Sequence, residues 1–170
     1  MNTPTIRTGL IAAVIATLCL GFIAPANAAP KGEKVVFLTK FFSEETTLNV
    51  LPGGHTYGWN YLTSATKIDG KPGKVEFLGV VNYTDGSGPF GGFVTVTLDN
   101  GSILGLAVDG QGLSLAKGGG IADARFGGSI TVISGTGDFK KVQGIGTMTG
   151  SRASTLGSPV AIKFNLTLKK

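Results

Sequence analysis

"ISGTGDFKKVQGIGTMTGSR", residues 133–152, decides between two kinds of protein. Its glycines at 135, 137, 144, 146 and 150 are as dense as those of a phosphate-cradling loop, and that reading leads to a nucleotide enzyme. A P-loop needs a Gly-Lys-Ser/Thr ending after a fixed spacer, and a dinucleotide fingerprint needs Gly-x-Gly-x-x-Gly opening a helix. The run from Gly144 to Gly150 misses the second pattern by one residue, and its threonines favour strands. Ile130 and Val132 close one apolar alternation, residues 135–138 bend the chain, Phe139 covers the bend, and residues 143–149 return. The segment therefore reads as a β-hairpin, with Gly144, Gly146 and Gly150 relieving the curvature of a small barrel.

The same alternation extends in both directions. In "VAIKFNLTLKK", residues 160–170, Val160, Ile162, Phe164, Leu166 and Leu168 share one face and polar or small residues share the other, the mark of a half-buried strand. "FVTVTLDNGSILGLAV", residues 93–108, alternates through Leu98, turns at Asp99-Asn100-Gly101 and resumes at Leu104, and Asn-Gly between alternating runs signals a hairpin. Further strands are expected at residues 34–40, 57–68, 74–84, 126–134 and 142–151. Turn clusters separate them at 51–54, 69–73, 84–89 and 117–120, and one short helical turn is expected around residues 43–47. The pattern predicts an all-β fold, a single closed antiparallel β-barrel of about eight strands.

The amino-terminal residues are of another kind. Arg7 precedes the apolar run "LIAAVIATLCLGFIA" at 10–24, then Pro25 and the small-residue tripeptide Ala26-Asn27-Ala28. That is the three-part pattern of a secretory signal peptide covering residues 1–28, with cleavage before Ala29 and the barrel domain at 29–170. A membrane span and a lipid anchor on Cys19 are the competing readings, disfavoured by Pro25 with the A-x-A site and by Leu18 ahead of the cysteine. A secreted or periplasmic chain with no membrane attachment after cleavage is expected. The mature chain would hold no cysteine, so thiolate nucleophiles, thiolate metal sites and disulfides are excluded together.

Of the 15 basic residues one is Arg7 in the leader, and the 10 acidic ones leave the mature chain mildly cationic. The lysines are scattered and no basic stripe alternates with stacking aromatics, so no nucleic-acid partner is expected.

The Gly-Thr-Gly-Asp-Phe turn at 135–139, flanked by an Ile/Val-rich strand and a glycine-spaced return, resembles the corner of allene oxide cyclase and dirigent-type barrels. "FVTVTLDNGSILGLAVDG", residues 93–110, is similar to the hairpin that precedes that corner, and the order of segments matches from about Tyr57 onward. The resemblance implies an eight-stranded barrel with an apolar lumen, often trimeric, acting on reactive intermediates without a cofactor. No catalytic residue of the cyclase pattern carries over: the first strand reads Val35-Val36-Phe37-Leu38-Thr39-Lys40 without acids, and the strand at 77–81 has no cysteine.

Individual residues supply the remaining candidates. Tyr57, Trp59 and Tyr61 share one face of a strand and Phe77 and Tyr83 share one face of the next, so they form an aromatic wall for a small apolar or aromatic ligand if the two faces meet inside the barrel. The alternative for these rings is ordinary core or a subunit interface. Glu76, within the apolar run 75–81, is the one catalytic candidate: inward, its pKa rises by desolvation and it serves as acid or base; outward, it is a surface charge. His55, the only histidine, reads as a general base or as a solvated turn residue. No metal site is expected, although Asp99, Asp109 and Asp123 would bind calcium weakly if their loops converged. Apolar residues on both faces of 75–83 imply that the outer face is covered by another subunit, giving a homo-oligomer, a trimer or dimer. Three functions stay open: a barrel binding an apolar molecule in its lumen, a cofactor-free isomerase or cyclase, and a structural or adhesive secreted protein whose interior is filled by side chains.

Overall fold

Side chains that alternate in hydrophobicity also alternate in burial along each strand of the computed structural model, which describes residues 32–115, 123–154 and 158–170. The signal-peptide reading and the turn expected at 117–120 lie outside the described residues. Eight strands, β1 (Glu33–Val50), β2 (His55–Ile68), β3 (Lys71–Thr84), β4 (Gly88–Leu98), β5 (Ile103–Ser114), β6 (Ala124–Gly135), β7 (Gln143–Arg152) and β8 (Val160–Lys169), pair antiparallel in sequence order. β8 returns to β1, so the sheet is a closed barrel.

The hairpins that join neighbouring strands follow from short turn sequences. Asp69-Gly70 and Asp85-Gly86 both take positive φ at each position, the backbone that two-residue hairpin loops require. The opening segment is the β6–β7 hairpin, with a single 3-10 turn at Gly137–Phe139.

The interior is filled by side chains of unequal size set against one another. Phe90 lies opposite Gly110, Phe126 opposite Gly112 and Gly150, and Met148 opposite Gly128. A Cβ added at Gly110 would stand 2.5 Å from Cζ of Phe90, so the ring uses the space the glycine leaves. Alternation of large and small inward residues is how a narrow barrel closes without overpacking. Elsewhere in the core, Phe37 stacks on Phe164 with centroids 4.6 Å apart, and Phe41 meets Phe164 edge-on at 6.3 Å and Phe77 at 6.1 Å. Phe41, Phe164, Leu104, Leu106 and Val94 are fully buried in this core.

One expected element is different. Residues 43–47 are not a helical turn; β1 continues through them with a bulge between Ser43 and Glu45. Their pairing with Tyr61, Asn60 and Trp59 of β2 supplies the backbone partners, and Asn60 joins them through hydrogen bonds from Thr46 Oγ1 (2.8 Å) and to Ser43 Oγ (3.0 Å). Beyond Phe41, which pairs with Val160, the ladder between β1 and β8 ends, and β1 runs on with β2 alone.

Candidate functional site

The face of β2 that carries Tyr57, Trp59 and Tyr61 points away from the core. Leu62, Ser64 and Ile68, on the alternate positions, are the buried ones. On β3 the buried residues are Val75, Phe77 and Gly79, with Tyr83 half-buried on the same inward face. Register makes the reason explicit: Phe77 pairs with Leu62, whereas Tyr61 pairs with Leu78 and Trp59 with Val80. Directly opposed residues of a sheet share a face. The five candidate ligand-binding rings are therefore divided by the barrel wall, three outside and two inside, and they form no common aromatic wall around a lumen.

Glu76 also lies outside, on the same face. It pairs laterally with Thr63 and Thr95, and its Oε1 accepts hydrogen bonds from the Tyr61 hydroxyl and from Lys74 Nζ, the latter at 2.9 Å. The lysine first and the phenol second hold the Glu76 carboxyl below the usual carboxylate range. In turn, donation to Glu76, followed by desolvation, raises the Tyr61 phenol above its ordinary value. An inward Glu76 would have had a raised pKa; the outward one, held low by these partners and with one oxygen already engaged twice, is poorly suited to accept or deliver a proton in catalysis.

The remaining candidates do not assemble either. His55 opens β2 at the end of the barrel, with Nδ1 3.5 Å from the Thr84 hydroxyl and its ring 6.2 Å from that of Tyr57. Asp99 sits in the β4–β5 turn, Asp109 on β5, and Asp123 ahead of β6, so their loops do not converge. Among the described residues no three His, Cys, Asp or Glu side chains are placed to hold a metal ion.

The β2–β4 wall does bring together an apolar surface that sequence reasoning reached only in part. Tyr61, Leu78 and Phe93 are consecutive lateral partners across three strands, and Trp59 and Val80 form the next row. Leu78 is 44 % exposed, Val80 54 % and Phe93 58 %. Phe93 was legible only as one member of an alternating run; the register that brings it beside Leu78 is a long-range property. Fold and wall define the class of protein: a closed eight-stranded antiparallel barrel with a filled interior and a large-residue apolar patch on its outer surface. In comparisons with known proteins, no family model matches the chain and no curated protein matches it.

Proposed function

We propose that this chain is an exported, non-catalytic barrel that acts through its outer wall, and that copies of it associate through the β2–β4 face. The carrying observation is the continuous outward row of half-buried Tyr61 with exposed Leu78 and Phe93, and half-buried Trp59 with exposed Val80 beside it, set against an interior already occupied by its own side chains. Exposed apolar patches of this kind on a stable domain mark association surfaces. Trp and Tyr are also the residue types that contribute most at the centre of protein interfaces. The leader pattern at residues 1–28 supports export, and the Tyr61–Glu76–Lys74 cluster at the patch margin supplies the polar rim such interfaces carry.

Sedimentation of the exported protein across micromolar concentrations tests this reading. A dimer or trimer is expected. Leu78→Glu with Phe93→Glu places two charges in the contact, and association should weaken, with Kd raised by at least about 100-fold, from roughly 3 kcal/mol of lost apolar burial. A wild-type protein that stays monomeric, or an oligomer indifferent to the double substitution, overturns it. Both side chains point outward, so the barrel should remain folded.

A further inference from the structure

A second outward face, on β7, β8 and β1, has a different chemistry. Register places Lys34 beside Thr167 and Ile145, Leu38 beside Lys163 and Thr149, and Lys40 beside Ala161 and Ser151, with Arg125 of β6 next in that row. The apolar members of this face protrude: Leu38 is 71 % exposed, Ile145 68 %, Phe42 55 % and Val36 52 %. Leu38, Phe42, Lys40, Lys163 and Arg125 line one open groove of ≈ 750 Å³. No outward position of β7, β8 or β1 between Lys34 and Phe42 carries an acid. The nearest carboxylates stand at the margins: Glu33 precedes Lys34 at the alternate position of β1, Glu44 accepts from the Thr63 hydroxyl at 2.7 Å, and Asp123 accepts from the Ser154 N–H at 3.0 Å. Ion pairs among the described residues involve Lys71 and Lys74 instead.

We propose that this face docks the folded barrel onto an anionic lipid surface. A partner must neutralise several unpaired cations and accept protruding aliphatic side chains in the same plane, and the headgroup and acyl boundary of an anionic bilayer offers both within a few ångströms. The face has matching dimensions, about 20 Å along β1 from Lys34 to Lys40 and about 10 Å across three strands. A second copy meeting the face symmetrically would set lysine against lysine. Nucleic acid is a poorer match, since its bases stack on aromatic rings and the most exposed apolar side chains here are Leu38 and Ile145. This face meets the β2–β4 wall at Phe42, which pairs with Thr63 beside Glu76, and the substitutions that test the lipid reading leave Phe42 in place, so that reading and the self-association reading are tested by different residues.

Co-sedimentation of the exported protein with vesicles tests the proposal, using phosphatidylcholine alone and phosphatidylcholine with about one third phosphatidylglycerol. Binding is expected to the anionic vesicles only, and to fall as salt rises through the range where the Debye length shrinks below about 10 Å. Lys40→Gln and Lys163→Gln should each weaken binding about fivefold. Leu38→Ser should weaken it at both low and moderate salt, while Ile103→Ser, exposed on β5 and outside both faces, should leave it unchanged. Equal binding to both vesicle types, or anionic binding indifferent to the lysine substitutions, overturns the proposal. So does a change in sedimentation without vesicles when Lys40 and Lys163 are both replaced, which would make this face an interface between copies. Melting curves of the same variants establish that each barrel is intact, because all of these side chains point outward.

Discussion

Gly137 holds the turn that opened the question of the fold. Its φ is +54°, and a Cβ there would run into the Ser102 hydroxyl, which itself accepts the Asp138 N–H at 2.9 Å. Asp138 then reaches Lys71 of the β2–β3 hairpin at 2.9 Å and Asn100 of the β4–β5 turn at 3.1 Å, so three hairpins at one end of the barrel are tied together. Gly137→Ala should therefore destabilise by about 1–3 kcal/mol, combining left-handed strain with a displaced Ser102, and a urea titration measures it. Lys71, then Asn100, hold the Asp138 carboxyl below its ordinary value, so this contribution is present at neutral pH and lost as acid brings Asp138 through its folded pKa. Tyr83 behaves oppositely. Burial pushes its phenol up to about 12, so the stability linked to the neutral ring is complete below about pH 10 and is lost as the pH rises toward 12. Melting temperatures should fall over that window, and Tyr83→Phe should flatten the fall; an unchanged slope in the variant contradicts the assignment. At this scale the sequence was a partial guide. The Gly-Thr-Gly-Asp-Phe bend was legible because glycine and aspartate have local reasons to be there, whereas the face of Glu76 was hidden because the run 75–81 is apolar at both parities, and its partner Tyr61 comes from the register.

Strand existence was legible wherever one face is buried and the other is wet, as in β8, where Ile162, Phe164, Leu166 and Leu168 alternate with Lys163, Asn165 and Thr167. β2 was harder because its larger rings lie outside. Periodicity of two separates the faces of a strand but does not say which one is inward, and ranking by apolar size selects Tyr57, Trp59 and Tyr61 over Leu62, Ser64 and Ile68. The inward positions of this half of β2 include Gly58, whose Cβ would collide with the backbone of β1 at Thr47, so close approach of strands rather than hydrophobicity dictates the residue. The same error of one register step would move Phe77 from Leu62 to Tyr61. Residues 43–47 misled for another reason: their backbone pairs with β2 alone, and an edge segment with Glu44, Glu45 and a bulge carries the polarity that protects edges instead of an alternating pattern. Trp59 gives an independent check on the β2–β4 association. Its fluorescence should shift to shorter wavelength as concentration rises through the assembly range, and Leu78→Glu with Phe93→Glu should abolish the shift.

For the molecule as a whole, the decisive quantity is whether the barrel interior has room for a guest. Phe164 is fully buried, stacked on Phe37 and edge-on to Phe41, and Met148 pairs with it across the sheet from β7. Removing the ring leaves a dry space lined by aromatic and aliphatic carbon. Phe164→Ala should cost about 3–5 kcal/mol from lost transfer energy and the residual cavity. In a barrel of this size each kcal/mol lowers the melting temperature by roughly 2–4 °C, so a fall on the order of 10 °C is expected. If that variant is too unstable to purify, Phe164→Leu opens a smaller space at lower cost. A cavity of this kind stays empty of water and admits a benzene-sized molecule, which should raise the variant's melting temperature in proportion to the logarithm of its concentration. The wild-type barrel should show no such stabilisation, because Phe164 already fills the site. Stoichiometric stabilisation of the wild type by a drug-sized apolar molecule, unaffected by Leu78→Glu and Phe93→Glu on the outer wall, would place a guest inside after all and return function to the lumen.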